Sequence, residues 1–347
     1  MNRLLFLILI LLSQTVLSQE SSLVTRGYLY EKAPFIECHA STLAYTPKGL
    51  VAAWFGGTKE ANKDVEIWFS TYKNKVWTTP VSVANGIQHA SKRYPCWNPV
   101  LYQVPKGELM LFYKVGPSPQ QWWGELITSK DNGKTWSEPR RLPEDILGPV
   151  KNKPVLLSDG TLFCPVSTEV TSETGWRMHF ELTKDLGKTW EIIGPIDPAS
   201  NYNVIQQSVL FHGGNKLQLL ARSKDNYVMT SWSEDNGRSW SALEKTSLPN
   251  PNSGTDAVTL KNGLQVLIYN HSTKPEGKWS GKRTPLNVAI SKDGINWKSI
   301  FTLEDQPGEY SYPSVIQGND GLVYISYTWK RRKISYVVLD PSKFEKL

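Results

Sequence analysis

The sequence predicts an all-β chain folded as a six-bladed β-propeller, and three observations predict it. A turn motif, Ser/Thr-x-Asp-x-Gly-x-x-Trp, recurs in Ser129–Trp136, Thr183–Trp190 and Ser233–Trp240; Ser291–Trp297 is one residue short, and Ser70–Trp77 keeps only the two ends. The copies stand about 50–60 residues apart, the spacing of a repeat architecture. A second repeat runs in phase with the first, and no stretch shows the period of a helix.

Each fixed position of the turn motif has a physical job. The Asp side chain accepts backbone N–H groups inside a tight turn, and Gly takes the positive φ the turn needs. The hydroxyl residue closes the turn from the other side, and Trp fills the apolar gap beneath it.

The second repeat is a short β-branched run, a turn with Gly, and another apolar run. It occurs at His39–Ala44 before Gly49, Asn98–Leu101 before Gly107, and Lys153–Leu157 before Gly160. It occurs again at Gln207–Phe211 before Gly214, Asp256–Leu260 before Gly263, and Pro313–Ile316 before Gly321. These are the first two strands of a meander. A third strand leads into the Asp turn and a fourth starts at its Trp, clearest around Ile127–Ser137 and Val288–Lys298. Six four-stranded units without helices give six blades. An α/β barrel would need long helices between the strands. The ring is expected to close with the strand around Ile334–Leu339 beside the first strands of the chain.

Ahead of this lies Met1–Ser18: Arg3, then the apolar run Leu4–Leu12, then a small residue before Gln19. That pattern predicts a signal peptide and export to the periplasm or exterior, the apolar run being too short to span a bilayer. Residues 19–34 read as a lead-in and 35–347 as the propeller.

The 347 residues carry a formal charge of +7, and losing Met1–Ser18 removes only Arg3, leaving +6. A mild positive excess suits an anionic substrate. The basic residues are scattered except for Lys330–Lys333, expected as a solvated hairpin tip rather than a nucleic-acid patch. Cys38, Cys96 and Cys164 give no disulfide framework and no metal-binding spacing, so buried thiols near strands are expected and neither metal nor cofactor is implied. No nucleotide motif is present, and a monomer is expected.

In a propeller the residues just before each innermost strand meet at one mouth of the central channel. Counting back from each repeat places His39, Trp97, Asn98, Asn152, Lys153, Gln206, Gln207, Thr255, Asp256, Tyr310 and Tyr312 on that ring. Loops over the same mouth carry Glu60 with Asp64, Lys114 with Trp122 and Trp123, Glu169, Arg222, and His271 with Arg283. Polar and aromatic groups gathered from six blades make a site. Trp123 is a candidate for stacking on a sugar face or for packing under its proline loop.

The turn motif resembles the Asp-box (BNR) repeat of the sialidase (neuraminidase) superfamily, and the likeness covers nearly all of the chain after residue 18. It implies an exo-glycosidase that holds a sugar carboxylate with three arginines, activates a tyrosine nucleophile with a glutamate, and protonates the leaving group from an acid near the first blade. Arg222, in Leu219–Ser223, resembles the second arginine, and Arg283, before a strand and an Asp-box, the third. Glu309–Ser311 resembles the nucleophile segment, which makes Tyr310 the expected nucleophile. The planar fork of arginine suits a carboxylate.

Departures from the pattern imply a subgroup with altered catalytic residues. His39 is the nearest basic group to the first arginine's place, Gln206 stands where the glutamate is expected, and Glu60 or Asp64 takes the place of the acid. A tyrosine hydroxyl is a poor nucleophile without a neighbouring base, and Gln206 cannot take its proton. The readings therefore stay three: an exo-glycosidase for carboxylate-bearing terminal sugars of glycans, with Lys153, Asn152, Asp256, Trp123 and His271 as further substrate contacts; a polysaccharide lyase or uronate/rhamnose-acting enzyme using His39 or Tyr310 as base; or a non-catalytic glycan-binding propeller.

Overall fold

A computed structural model of the chain describes residues 22–169 and 175–346. The signal peptide expected at Met1–Ser18 lies outside the described residues. Six antiparallel sheets are arranged as six propeller blades, and a separate two-stranded ribbon, Ile87–His89 with Lys92–Arg93, lies in the connection from blade one to blade two. Their innermost strands, in chain order, are Glu37–Thr46, Cys96–Gln103, Val155–Leu156, Val204–Phe211, Asp256–Thr259 and Tyr310–Gln317.

The ring closes as the sequence predicts. Leu23–Tyr28, from the lead-in, is the outermost strand of blade six and pairs antiparallel with Lys333–Leu339, Leu23 opposite Leu339 and Tyr28 opposite Ser335. The last blade is thus built from both ends of the propeller.

Apolar burial sits between blades rather than at the centre. One buried cluster joins blades one and two through Val51, Phe69, Leu101 and Ile127, and the next joins two and three through Phe112, Leu126, Cys164 and Val166. Blades three and four share Phe163, Phe180, Leu219 and Met229, and four and five share Leu220, Val228, Leu267 and Tyr269. Five and six meet at Ile268, Val288, Tyr310 and Val337, and six and one at Trp54, Leu50, Tyr336 and Val338. Six clusters for six interfaces follow from strands that alternate their faces: each sheet is covered on both sides by a neighbour. Cys38, Cys96 and Cys164 are free and buried in this packing, where burial pushes each thiol's pKa up.

The Asp turns show how the interfaces are sealed. Asp131 accepts the backbone N–H groups of Lys134 and Thr135, while the Ser129 hydroxyl donates to Asp131 and accepts the N–H of Gly133. Asp185, Asp235 and Asp293 repeat the arrangement. Each Trp then packs on the preceding blade: Trp136 on Phe69, Trp190 on Phe112 and Trp240 on Phe180. In the worn copy Trp77 still packs on Tyr336 of blade six.

Candidate active site at the channel mouth

A backbone device repeats around the channel. Ala40, Asn98, Gln206 and Tyr312 all have positive φ, and each lies where the innermost strand slips register against its neighbour. Such a bulge bends the strand and re-aims a side chain. A left-handed conformation is uncommon for a non-glycine residue, and strained backbone of this kind gathers at functional sites. Lys151, just ahead of the innermost strand of blade three, is left-handed too.

The bulge in blade six corrects the expected nucleophile. Simple alternation puts Tyr310 and Tyr312 on one face, but the register shifts between Ser311 and Ser314. Tyr310 is buried in the interface between blades five and six with Val288 and Val337. Tyr312 instead reaches the mouth, where its hydroxyl oxygen accepts Arg222 Nη1 at 3.0 Å and Gln206 Nε2 at 3.2 Å. The repeat held the signal: Gln206–Val209 and Tyr312–Val315 share the pattern x-x-Ser-Val, so the two left-handed residues are equivalent.

Around Tyr312 the mouth is cationic. Arg222 is 4% exposed, and its Nε donates to Asn252 while Nη1 also donates to Gln206 Oε1 at 3.2 Å. The guanidinium carbons of Arg222 and Arg283 lie 5.9 and 5.7 Å from the Tyr312 ring centre. Arg283 Nη1 donates to Glu309 Oε1 at 2.9 Å, and Arg331 Nε donates to the same oxygen at 2.8 Å. Lys151, fully buried, crosses the channel to the carbonyls of Thr255 and Pro313, and burial pushes its pKa down to about 7 despite Asp256.

Arg331 is the arginine that sequence reading missed. Lys330–Lys333 is a hairpin turn, as expected, with Lys330 and Arg331 left-handed. The Arg331 side chain is nonetheless three-quarters buried and turns inward to Glu309 and Glu60. Burial works against its charge, but Glu60 and Glu309 outweigh it and raise its pKa. Three arginines therefore border the mouth, one of them from a part of the chain that a linear match does not point to.

His39 corrects another expectation. Its ring lies 4.0 Å from that of Tyr312, and Nδ1 is 2.8 Å from the Thr328 hydroxyl. Burial, reinforced by Arg331, Arg283, Arg222 and Lys151, holds its pKa well below the ordinary value. Its cationic form is thus disfavoured, whereas an arginine there would keep its charge.

Carboxylates line the rim. Glu60 pairs with Arg331 Nη1 at 2.5 Å. Asp64 instead ties its own loop, one oxygen accepting the Thr58 N–H at 2.8 Å and the other the Thr58 hydroxyl at 2.9 Å. Glu169 makes no hydrogen bond or salt bridge among the described residues. Burial raises its pKa, opposed by Arg222 and Lys224 and assisted by Glu60.

Of the other expected substrate contacts, three belong to the channel wall. Lys153 directs its ammonium to both oxygens of Asp256 and to the Ala257 carbonyl, at 2.8–3.0 Å. Asp256 also accepts from Asn152, Ser208 and the Val315 N–H. These groups bond one another across blades three to six and tie the ring together, although the buried Asn152 Oδ1 has no partner among the described residues. Lys114, likewise buried, donates to the Pro149 carbonyl, and burial pushes its pKa down to about 7. His271 is exposed and bonded to Tyr269. Trp122 packs on Trp97, and Trp123 borders a groove beside Glu169, with Arg141 over its ring at 4.6 Å.

A family model described as BNR repeat-like domain matches residues 48–325, so the chain belongs to that family. No curated protein matches it in sequence. Among solved structures, a protein of unknown function from Dyadobacter fermentans is similar at 16% identity over 92% of this chain and 98% of that one, TM-score 0.74. A variant of the NanB sialidase from Streptococcus pneumoniae aligns at 11% identity over 93% and 71%, TM-score 0.70. The intramolecular trans-sialidase from Ruminococcus gnavus, solved with oseltamivir carboxylate, aligns at 12% identity over 94% and 99%, TM-score 0.69. Identities this low establish a sialidase-like propeller fold and nothing finer.

Proposed function

We propose that this member of the BNR repeat-like family is an exported glycoside hydrolase that removes a carboxylate-bearing terminal sugar from glycans. The observation that carries the reading is the meeting of Arg222, Arg283 and Arg331 around a tyrosine whose oxygen receives two N–H donors. In a desolvated mouth, guanidinium forks bind a carboxylate through paired, charge-assisted hydrogen bonds.

The roles follow from the geometry. Tyr312 stands at the reacting centre, aimed at the anomeric carbon. Arg222 fixes the orientation of Gln206, because Oε1 must face the cation and Nε2 then faces Tyr312. Both donors stabilise the anionic tyrosine oxygen once its proton has passed to water at the mouth, since Gln206 cannot take it. Attack then forms the tyrosine–sugar bond as the glycosidic C–O bond breaks, and water later hydrolyses that bond. Glu169, with its raised pKa and a carboxyl group that has no hydrogen-bond partner among the described residues, is the proton donor to the leaving oxygen, and Glu60 positions Arg331. An acid on one side of the scissile bond and a nucleophile on the other is the division of labour that glycoside cleavage uses.

A second reading has one observation in its favour. His39 is neutral, its buried Nε2 has no partner among the described residues, and it lies against Tyr312. That is what a base for proton abstraction next to a carboxylate needs, as in a lyase. A product profile separates the two. The chain without residues 1–18 is incubated with sialosides, rhamnosides and uronic-acid glycans, and products are read by mass and by absorbance of unsaturated sugars. A saturated acidic monosaccharide supports hydrolysis or intramolecular transfer, and an absorbing product supports elimination. Release from neutral rhamnosides alone would overturn both.

A further inference from the structure

Beside the mouth lies a second concavity, of which the proposed chemistry uses only Glu169. It is a groove of about 730 Å³ between blades two and three, bounded by the loop before Trp123–Ser129, the connection after Arg140–Arg141, and the ends of Leu162–Glu169 and Trp176–Thr183. That volume falls within the roughly 300–1,000 Å³ of small-molecule clefts. Gln121, Trp123, Arg141, Glu144, Glu169 and His179 line it.

The walls are built rather than accidental. Glu181, fully buried, accepts the N–H groups of Leu147 and Gly148 at 2.9 and 2.6 Å and lies 3.2 Å from His179 Nε2. One carboxylate thus fixes both the connecting segment and the histidine. The Arg141 guanidinium lies over the ring of Trp123, which donates its indole N–H to Glu125 at 2.7 Å.

Two features identify the occupant. Glu169 belongs to both sites: it lines the groove, and its carboxyl group senses Arg222. Opposite it in the sheet is Trp176, whose ring lies 5.1 Å from the Arg222 guanidinium. The edge of the groove at Glu169 therefore lies next to residues that border the mouth. Its charge is also reversed, with Glu144 and Asp145 against Arg141. Amide, carboxylate and guanidinium groups suit hydroxyls, while the surplus of carboxylates disfavours a second acidic sugar.

We propose that this groove is a second carbohydrate subsite, which takes the neutral sugars to which the acidic terminal sugar is joined. The assignment rests on the reading of the mouth as an acidic-sugar site, and it makes the substrate an extended glycan with Glu169 at the junction.

Calorimetric titration tests it, with Tyr312→Phe as background so that no probe is turned over. The probes are lactose, free sialic acid and sialyllactose. Sialyllactose should bind at least 10-fold more tightly than sialic acid. The further substitutions Gln121→Ala and Glu144→Ala, both at exposed positions, should remove that gain and weaken lactose at least fivefold, leaving sialic acid unchanged. Failure of lactose to bind, or indifference of lactose and sialyllactose to the double substitution, overturns the subsite. If lactose binds and the double variant weakens it while sialic acid does not bind at all, the subsite stands and the reading of the mouth falls.

Discussion

Arg222 and Tyr312, 90 residues apart in sequence, are joined by a 3.0 Å hydrogen bond in which the guanidinium donates to the phenol oxygen. Gln206 donates to the same oxygen and accepts from the same arginine, closing a triangle. An amide there holds charge without exchanging protons. Arg222→Ala should therefore weaken substrate or transition-state binding by about 2–5 kcal/mol, measured as kcat/KM on the best substrate. Arg222→Lys should recover little of it, because an ammonium keeps the charge and loses the fork.

The two tyrosines should behave oppositely. Tyr312→Phe should abolish turnover and leave ligand affinity within a few-fold, whereas Tyr310→Phe should keep turnover and register only in thermal stability. Steady-state kinetics and titration on the two variants decide this. Normal turnover by Tyr312→Phe removes tyrosine from the mechanism and leaves His39 with Glu60 as the better pair.

Those assignments also show what a linear sequence conceals. The Asp turns, the six meanders and the closure at Leu339 were legible because local turn chemistry and strand alternation set them. Arg222, Arg283 and Gln206 were legible because their segments keep recognisable neighbours. Tyr312 was placed on the ring together with Tyr310, which the resemblance of its segment favoured, but a bulge sets the two tyrosines apart. Arg331 hid in a basic run because only the folded hairpin shows that one of its four charges turns inward to Glu309. Lys153 and Asp256 were placed at the channel, yet their mutual pairing across blades depends on distances that no spacing reveals.

Glu169 carries a pH prediction. Burial raises its pKa, so it keeps its proton to a higher pH than an ordinary glutamate. The limb of the kcat/KM profile that falls with rising pH should be lost in Glu169→Gln, with kcat reduced about 10²–10⁴-fold on substrates with poor leaving groups. Aryl glycosides, which need little protonation, should suffer less. An unchanged profile in that variant would assign the limb to another group.

The Asp turns predict acid sensitivity without a catalytic role. Hydrogen bonds from Thr135 and Ser129 hold the Asp131 pKa at about 2, below its unfolded value of about 3.9. Its contribution is therefore complete above the unfolded value and is lost as pH falls through the folded one. Asp131→Ala should lower the melting temperature at pH 7, and the gap from the parent should narrow between pH 4 and pH 2. Lost activity with an unchanged melting temperature would contradict a purely structural turn.

Arg331 should matter to the ligand although it sits on the last hairpin. Arg331→Ala removes one donor and leaves Glu60 and Glu309 facing each other without their shared cation. Affinity for an acidic sugar should fall by about 2 kcal/mol or more. An equal loss for neutral sugars would mean that the hairpin acts through shape alone.

The central claim is a carboxylate held by three arginines, and its most direct test is the affinity of one sugar with and without its charge. Titration of the Tyr312→Phe chain with an acidic monosaccharide and with its methyl ester should show at least about a 30-fold preference for the free acid, the equivalent of some 2 kcal/mol, and Arg222→Lys should reduce that preference. Equal affinity for acid and ester would contradict the account.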